Sequence, residues 1–294
     1  MPEGDSVWLL ARRLDRALLG QTVVRSSLRV PRLATRDLTG RTLLEHATHG
    51  KHLLSRFSGV GTSPPVTLHS HLLMDGEWTV TSPGKRLPAR LQHEVRVVLK
   101  TASGRTAWGQ RLHQLELVAT RDEHTLVGHL GPDPLRADWD AEDAVRRLLT
   151  RPERPLVSAL LDQTLVAGLG NLWANELAFL VGRSPWTPVG DLGEAGVRRL
   201  VDRAAVALHH SATAPGAYQV TTGRAVRGES HWVAGRQRRP CLRCGTTVLV
   251  VGEVQNDPAN RRTWWCPRCQ PGPGPEAREG LRDGGTIRAA GVSR

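Results

Sequence analysis

Aromatic side chains other than tryptophan are nearly absent from this chain of 294 residues, which holds two Phe and one Tyr against nine Trp. Methionine is also rare, with two residues. Any core must therefore be built from Leu, Val and Ala. No run of eighteen apolar residues occurs, which argues against a membrane-crossing helix. The start, Met1-Pro2-Glu3-Gly4-Asp5, has no basic stretch leading into an apolar one, so no secretory leader is expected. Acidic residues are in deficit: 28 Asp and Glu face 40 Lys and Arg, a formal net charge of +12. That balance suits a polyanionic partner, although a solvated basic surface gives the same count. Hydrophobic content of 39% over this length supports one large domain or two medium ones.

The four Cys form two Cys-x-x-Cys pairs, Cys241/Cys244 and Cys266/Cys269. Each pair can place two thiolates on one tight turn, and two such turns close a tetrahedral Zn²⁺ site. The intervening stretch, 245–265, slightly exceeds the usual spacing of about 15–20 residues. A redox dithiol pair or four plain buried thiols are the competing readings. A closed four-cysteine site would hold one structural zinc and do no chemistry. The segment between the pairs then reads as a β-hairpin with Asn260, Arg261 and Arg262 at its tip and second strand, suited to phosphate.

Val7, Leu10, Ala11, Leu14 and Leu18 follow helical spacing over 6–19, and Gly20 is a plausible stop. From 21 to about 130 the period becomes two, in short runs such as Val66-Thr67-Leu68 and Val95–Leu99 broken by Gly, Pro and Ser, the pattern of a β-sandwich or barrel. Gly131-Pro132-Asp133-Pro134 opens a linker over 131–138. Helical patterns follow over 139–235: Asp138–Thr150, a helix with Pro155 as its first residue, and one N-capped by Asn171 after the turn Ala167–Gly170. Another helix follows an Asp191-x-x-Glu194 capping box. Residues 236–270 hold the cysteines, and Arg236–Arg239 reads as a solvated basic face. Residues 271–294, rich in Pro and Gly and then polar, are expected to be disordered.

Removal of Met1 before the small Pro2 would expose a secondary amine. Such an amine can attack an aldehyde-like carbon and give an iminium ion, whose fixed positive charge makes it an electron sink. Glu3 beside it can serve as general acid or base. Pro after Met is common, and alone the pair says little.

The pair does not stand alone. Pro2-Glu3-Gly4, His49-Gly50-Lys51-His52-Leu53, His69–Gly76, Leu161-Asp162-Gln163 with Gly168-Leu169-Gly170-Asn171 and Asn175-Glu176, and Cys266–Gln270 occur in this order. Together they resemble the formamidopyrimidine-DNA glycosylase/endonuclease VIII family over residues 1–270, with the actinobacterial endonuclease VIII branch the nearest match. The resemblance implies an α+β multidomain fold: an N-terminal helix plus β-sandwich (1–130), a helical helix–two-turn–helix domain and a zinc-finger β-hairpin. It implies a bifunctional glycosylase and abasic-site lyase of base excision repair. Pro2 would attack C1′ of a flipped-out damaged nucleotide, Glu3 would supply a proton, and β,δ-elimination would cut the strand.

By the same resemblance Lys51, Asn171 and Arg261 would hold the phosphate beside the lesion. Met74, with Leu73 beside it, would fill the hole left by the flipped base. Arg111, Leu112 and His113 fall near the family's other void-filling positions without matching them. Asp5-Ser6 replaces the family's usual Pro-Glu. The expected partner is damaged double-stranded DNA, with oxidised pyrimidines as substrate, and the expected setting is a monomer in the bacterial cytoplasm with no membrane contact. Two alternatives stand beside this: a zinc-ribbon protein that binds damaged DNA with weak or no catalysis, and specificity for oxidised purines.

Overall fold

Apolar residues at helical spacing form α1 (Gly4–Leu18), which buries Val7, Ala11, Leu14 and Leu18 and ends where Gly20 takes φ +72°. This is a computed structural model in which residues 2–213, 219–252 and 261–275 are described. Eight strands follow α1: β1 (Val23–Leu28), β2 (Leu43–His49), β3 (His52–Phe57), β4 (Val66–His71), β5 (Glu77–Thr81), β6 (Val95–Thr101), β7 (Thr106–Gln110) and β8 (Gln114–Ala119). They pair antiparallel into two four-stranded sheets, ordered β1-β6-β7-β5 and β2-β3-β4-β8.

The inner faces meet over Leu53, Leu68, Val97, Leu99, Ala107 and Leu115, and α1 packs on the same core along β2 and β3. Phe57 and Trp78 are the aromatic members of this cluster, so it is an aliphatic core, as the composition demands. Leu112 is 1% exposed within it and is not available to fill a void in DNA.

The chain then turns helical, with α2 (His124–Val127), α3 (Ala141–Leu148), α4 (Leu156–Leu161), α5 (Asn171–Leu180) and α6 (Gly193–Thr213). Asp140 caps α3 by accepting from the Asp143 N–H at 2.9 Å. Pro155 sits one residue before α4 and not inside it. The Asp191–Glu194 box does not form, because Asp191 lies in a 3₁₀ turn and α6 starts at Gly193. Leu148, Leu156, Trp173, Leu177, Leu200 and Leu208 make this half's core.

The connection at 131–138 is packed against both halves. Asp133 is 2% exposed and accepts from the Gly50 N–H at 2.7 Å and the Leu135 N–H at 2.9 Å. The last element is the hairpin of β9 (Leu249–Val251) and β10 (Thr263–Trp265), paired antiparallel. Asn260 and residues 276–294 lie outside the described residues. Residues 271–275, placed by the sequence reading in an unstructured tail, lie against the turn after α5: the Ser184 hydroxyl donates to the Pro273 carbonyl. Arg236 is also a correction. It is 7% exposed and donates to the Gly228 and Pro240 carbonyls, so it braces the chain and does not join a solvated face.

Candidate active site at the junction of sandwich and helices

Residue 3 and residues 170–173 meet across the whole molecule. The Glu3 carboxylate, 1% exposed, accepts the N–H groups of Gly170 (2.9 Å), Leu172 (2.8 Å) and Trp173 (3.2 Å). These are orphan donors at the start of α5, where the positive end of the helix dipole favours an anion. Glu3 therefore caps α5. Asn171, expected to be the N-cap, is the first helical residue, and Gly170 occupies the cap position. Gly170 must be glycine, since a Cβ there would stand 2.4 Å from the Glu3 carboxyl carbon.

At the start of α1 the Ser6 hydroxyl accepts from the Glu3 N–H at 2.9 Å and donates to the Glu3 carbonyl, leaving the Glu3 side chain free to turn towards α5. Asp5 is buried on the Ser211 hydroxyl at 2.7 Å. The unusual Asp5-Ser6 pair thus closes locally and ties α1 to α6.

Lys51 projects from the β2–β3 turn. Gly50 makes that turn at φ +56°, held by Asp133. The ammonium donates to the Leu169 carbonyl at 2.6 Å, and the Gln163 amide donates to the same oxygen at 2.7 Å. Burial pushes Glu3 up to about 7, against the opposing pull of Lys51 and of the Leu172 and Trp173 N–H groups. Burial also lowers Lys51 to about 8, with the Glu3 charge resisting and the Arg261 charge adding to the fall. A carboxyl that holds its proton near neutrality sits beside an amine that readily gives one up, the pattern of acid–base sites.

A cleft of about 520 Å³ opens over this pair. Pro2, Lys51, Leu73, Met74, Asn171 and Arg261 all line it. Six sequence-predicted residues from five separate segments thus share one space, with Glu3 buried behind it. The Asn171 amide donates to the Arg262 backbone carbonyl at 2.9 Å, and Arg261, not Arg262, lines the cleft. Met74 is 66% exposed on a turn where Leu73 takes φ +51°. Arg111 braces that turn by donating to the Asp75 carbonyl at 2.8 Å and pairs with Glu94.

Sequence reasoning gave no role to several residues that build the cleft. His71 lines it and accepts the Leu73 N–H on Nδ1 at 3.0 Å; burial, with the Lys51 charge, lowers it to about 4. Arg154 lines it while paired to Asp162 at 2.7 Å. Asn175 and Glu176 are both fully buried. Asn175 accepts the Trp264 N–H at 2.9 Å, and Glu176 accepts the N–H groups of Trp232, Val233 and Ala234, each at 2.8 Å. One helix therefore presents Asn171 to the cleft and fastens the hairpin that carries Arg261. Only their place inside the ordered motifs hinted at His71, Asn175 and Glu176, and nothing in the sequence pointed to Arg154.

The four cysteines converge with all ligand atoms within 4.8 Å of one another. The Cys241–Cys269 and Cys244–Cys266 sulfur separations are 3.9 and 3.4 Å. Four thiolates around a tetrahedral ion with metal–sulfur bonds of about 2.3 Å stand about 3.8 Å apart. The donor set fits a metal ion. Gln270 locks the second knuckle to the helical half, accepting the Cys266 N–H at 2.9 Å and donating to the Arg183 carbonyl at 3.1 Å.

Residues 1–113 match the formamidopyrimidine-DNA glycosylase N-terminal domain and residues 130–222 the formamidopyrimidine-DNA glycosylase H2TH domain. The chain belongs to the formamidopyrimidine-DNA glycosylase/endonuclease VIII family. Within that family it stands with the actinobacterial endonuclease 8 proteins. It is 49% identical to a probable endonuclease 8 2 of Streptomyces coelicolor, over 96% of this chain and 99% of that protein. It is 41% identical to the DNA-(apurinic or apyrimidinic site) lyase Nei2 of Mycolicibacterium smegmatis, over 92% and 99%. Among solved structures, Lactococcus lactis formamidopyrimidine-DNA glycosylase bound non-covalently to abasic-site DNA is similar at 25% identity and a TM-score of 0.74, over 92% of this chain and all of that one.

Proposed function

We infer that this protein is a bifunctional DNA glycosylase and abasic-site lyase of base excision repair, acting on oxidised pyrimidines in duplex DNA. The observation that carries the reading is the meeting of Pro2, Lys51, Asn171 and Arg261 in one cleft with Glu3 buried beneath it. Leaning towards pyrimidines rests on the endonuclease 8 relatives.

Once Met1 is removed, the Pro2 nitrogen attacks C1′ of a flipped nucleotide. The glycosidic bond breaks and the base departs. The C1′–O4′ bond opens, O4′ takes the Glu3 proton, and an iminium remains. Loss of a C2′ proton expels the 3′ phosphate, and a second elimination expels the 5′ phosphate, leaving a one-nucleotide gap with phosphate at both ends. Water then releases the sugar remnant from Pro2.

Lys51 and Arg261 neutralise the phosphate beside the lesion, and the free Asn171 amide proton adds a hydrogen bond. Met74, with Leu73, fills the space of the flipped base. One zinc on Cys241, Cys244, Cys266 and Cys269 holds the hairpin and thereby Arg261; metal analysis of the purified protein is expected to find about one Zn²⁺ per chain. The protein works as a monomer on the chromosome in the bacterial cytoplasm.

Borohydride trapping on an oligonucleotide with one abasic site tests the lyase. A covalent complex is expected with the wild type and not with Pro2→Gly. Absence of any complex removes the lyase and leaves a damage-binding protein. A complex that survives Pro2→Gly moves the nucleophile elsewhere. Excision of dihydrouracil set against 8-oxoguanine in matched duplexes tests the choice of base.

A further inference from the structure

A second groove, of about 980 Å³, lies on the sheet β1-β6-β7-β5 and shares no lining residue with the catalytic cleft. Arg25 of β1, Arg29 just after it, Lys100 of β6, and Lys85 and Arg86 of the loop between β5 and β6 line it, and no Asp or Glu does. All five are exposed. Arg56, Arg136, Arg154 and Arg198 are paired with carboxylates, whereas among the described residues these five cations, like many other surface arginines, have no such partner.

Two of them oppose each other directly: Arg25 and Lys100 are cross-strand partners. Like charges in that position destabilise a sheet. A sheet that carries this cost without a nearby carboxylate is arranged for an outside anion, and a concave wall of one sign concentrates the field that draws it in. The floor is apolar. Leu87, Val98 and Trp108 pack together there, and the half-buried Trp108 ring is oriented by its Nε1–H donating to the Thr81 hydroxyl at 3.0 Å.

We propose that this groove is a second nucleic-acid site, which binds an unpaired strand with its phosphates on the five cations and its bases on the Trp108 floor. A duplex hides its base faces within the stack, whereas a single strand offers them to an aromatic and apolar surface. The site is independent of the catalytic reading: it needs no chemistry at Pro2 and holds DNA that is not in the cleft.

The test follows fluorescence anisotropy of a labelled sixteen-nucleotide oligo(dT), with the catalytic cleft first saturated by a short duplex carrying a reduced abasic site. Binding of oligo(dT) is expected to persist under saturation. In the triple variant Lys85→Gln, Arg86→Gln, Lys100→Gln it is expected to fall at least tenfold. The slope of log affinity against log salt should drop by about two, at about 0.7 per phosphate released from a single strand. Trp108→Phe, which keeps an aromatic floor, should lose less affinity than the triple variant and serves as the fold-preserving control. Cleavage of a short abasic duplex is expected to be unchanged in all variants. Full displacement of oligo(dT) by the saturating duplex, or an unaltered affinity and slope in the triple variant, overturns the proposal. Tighter binding of a polyglutamate peptide than of oligo(dT) at equal salt also overturns it, and assigns the groove to an acidic protein partner. Failure of borohydride trapping would touch only the catalytic reading.

Discussion

In the proposed mechanism, Glu3 is the residue on which the chemistry and the pH dependence both turn. Its carboxyl is pushed up to about 7 from an ordinary value near 4.5, so the folded protein binds more protons than the unfolded chain between those limits. Stability therefore falls as pH rises from about 4.5 to 7, by about 3 kcal/mol at most, and is flat with respect to Glu3 above that window. Glu3→Gln should remove this slope, as urea melts at pH 5 and pH 7.5 will reveal. The same substitution deletes the proposed proton donor, so base release should drop by roughly 10²–10⁴ in a single-turnover assay. Lys51, lowered to about 8, loses its charge above that pH, and duplex affinity should weaken between pH 7 and 9 in wild type but not in Lys51→Gln. At Met74 the side chain is largely in solvent, so Met74→Ala should leave the melting transition unmoved while weakening binding to lesion-bearing duplex.

At the scale of elements, α5 is the keystone. Its first turn receives Glu3, its Asn171 faces the cleft, its Asn175 holds β10 of the hairpin, and its Glu176 holds residues 232–234. Gly170→Ala would drive a methyl into the Glu3 carboxyl group. A loss of about 2 kcal/mol in denaturant melts is expected, from the overpacking and the displaced carboxylate, with base release reduced as in Glu3→Gln. The sequence made α5 visible through Asn171 and the glycines before it, but it misplaced the cap. Local reasoning assigns a cap to the nearest side chain, whereas the real cap comes from residue 3. Strands β2, β7 and β8 were similarly obscure. Thr106-Ala-Trp-Gly-Gln carries too little apolar alternation to declare itself, and Gly109 packs against Leu112 and Val97 only because the sandwich closes there.

For the whole molecule, the net charge of +12 predicts duplex binding that weakens steeply with salt. Arg261→Ala should lower the log–log slope by about 0.9, the share of one phosphate contact on duplex DNA. Removing the proposed zinc, by chelation or by Cys241→Ser with Cys266→Ser, should cost duplex binding and strand cleavage together. Circular dichroism should meanwhile retain the sandwich and helices, whose cores are separate from the hairpin's small cluster of Phe179, Val233 and Val248. If chelation instead unfolded the entire chain, the hairpin would be part of the global core.

The sequence by itself determined the family, the order of helix, strands, helices and cysteine hairpin, and the identities of Pro2, Glu3, Lys51, Met74, Asn171, Arg261 and the four cysteines as candidates. It could do so because motif chemistry and short-range periodicity are local properties of the chain. Only the tertiary structure decided that Glu3 caps α5, that Gly50 and Asp133 set the Lys51 turn, that Leu112 belongs to the core and Arg236 to an internal brace, and that Arg25 opposes Lys100 across a groove. Each of these depends on residues far apart in sequence meeting in space, and on the burial that moves a carboxyl to about 7 once water is gone.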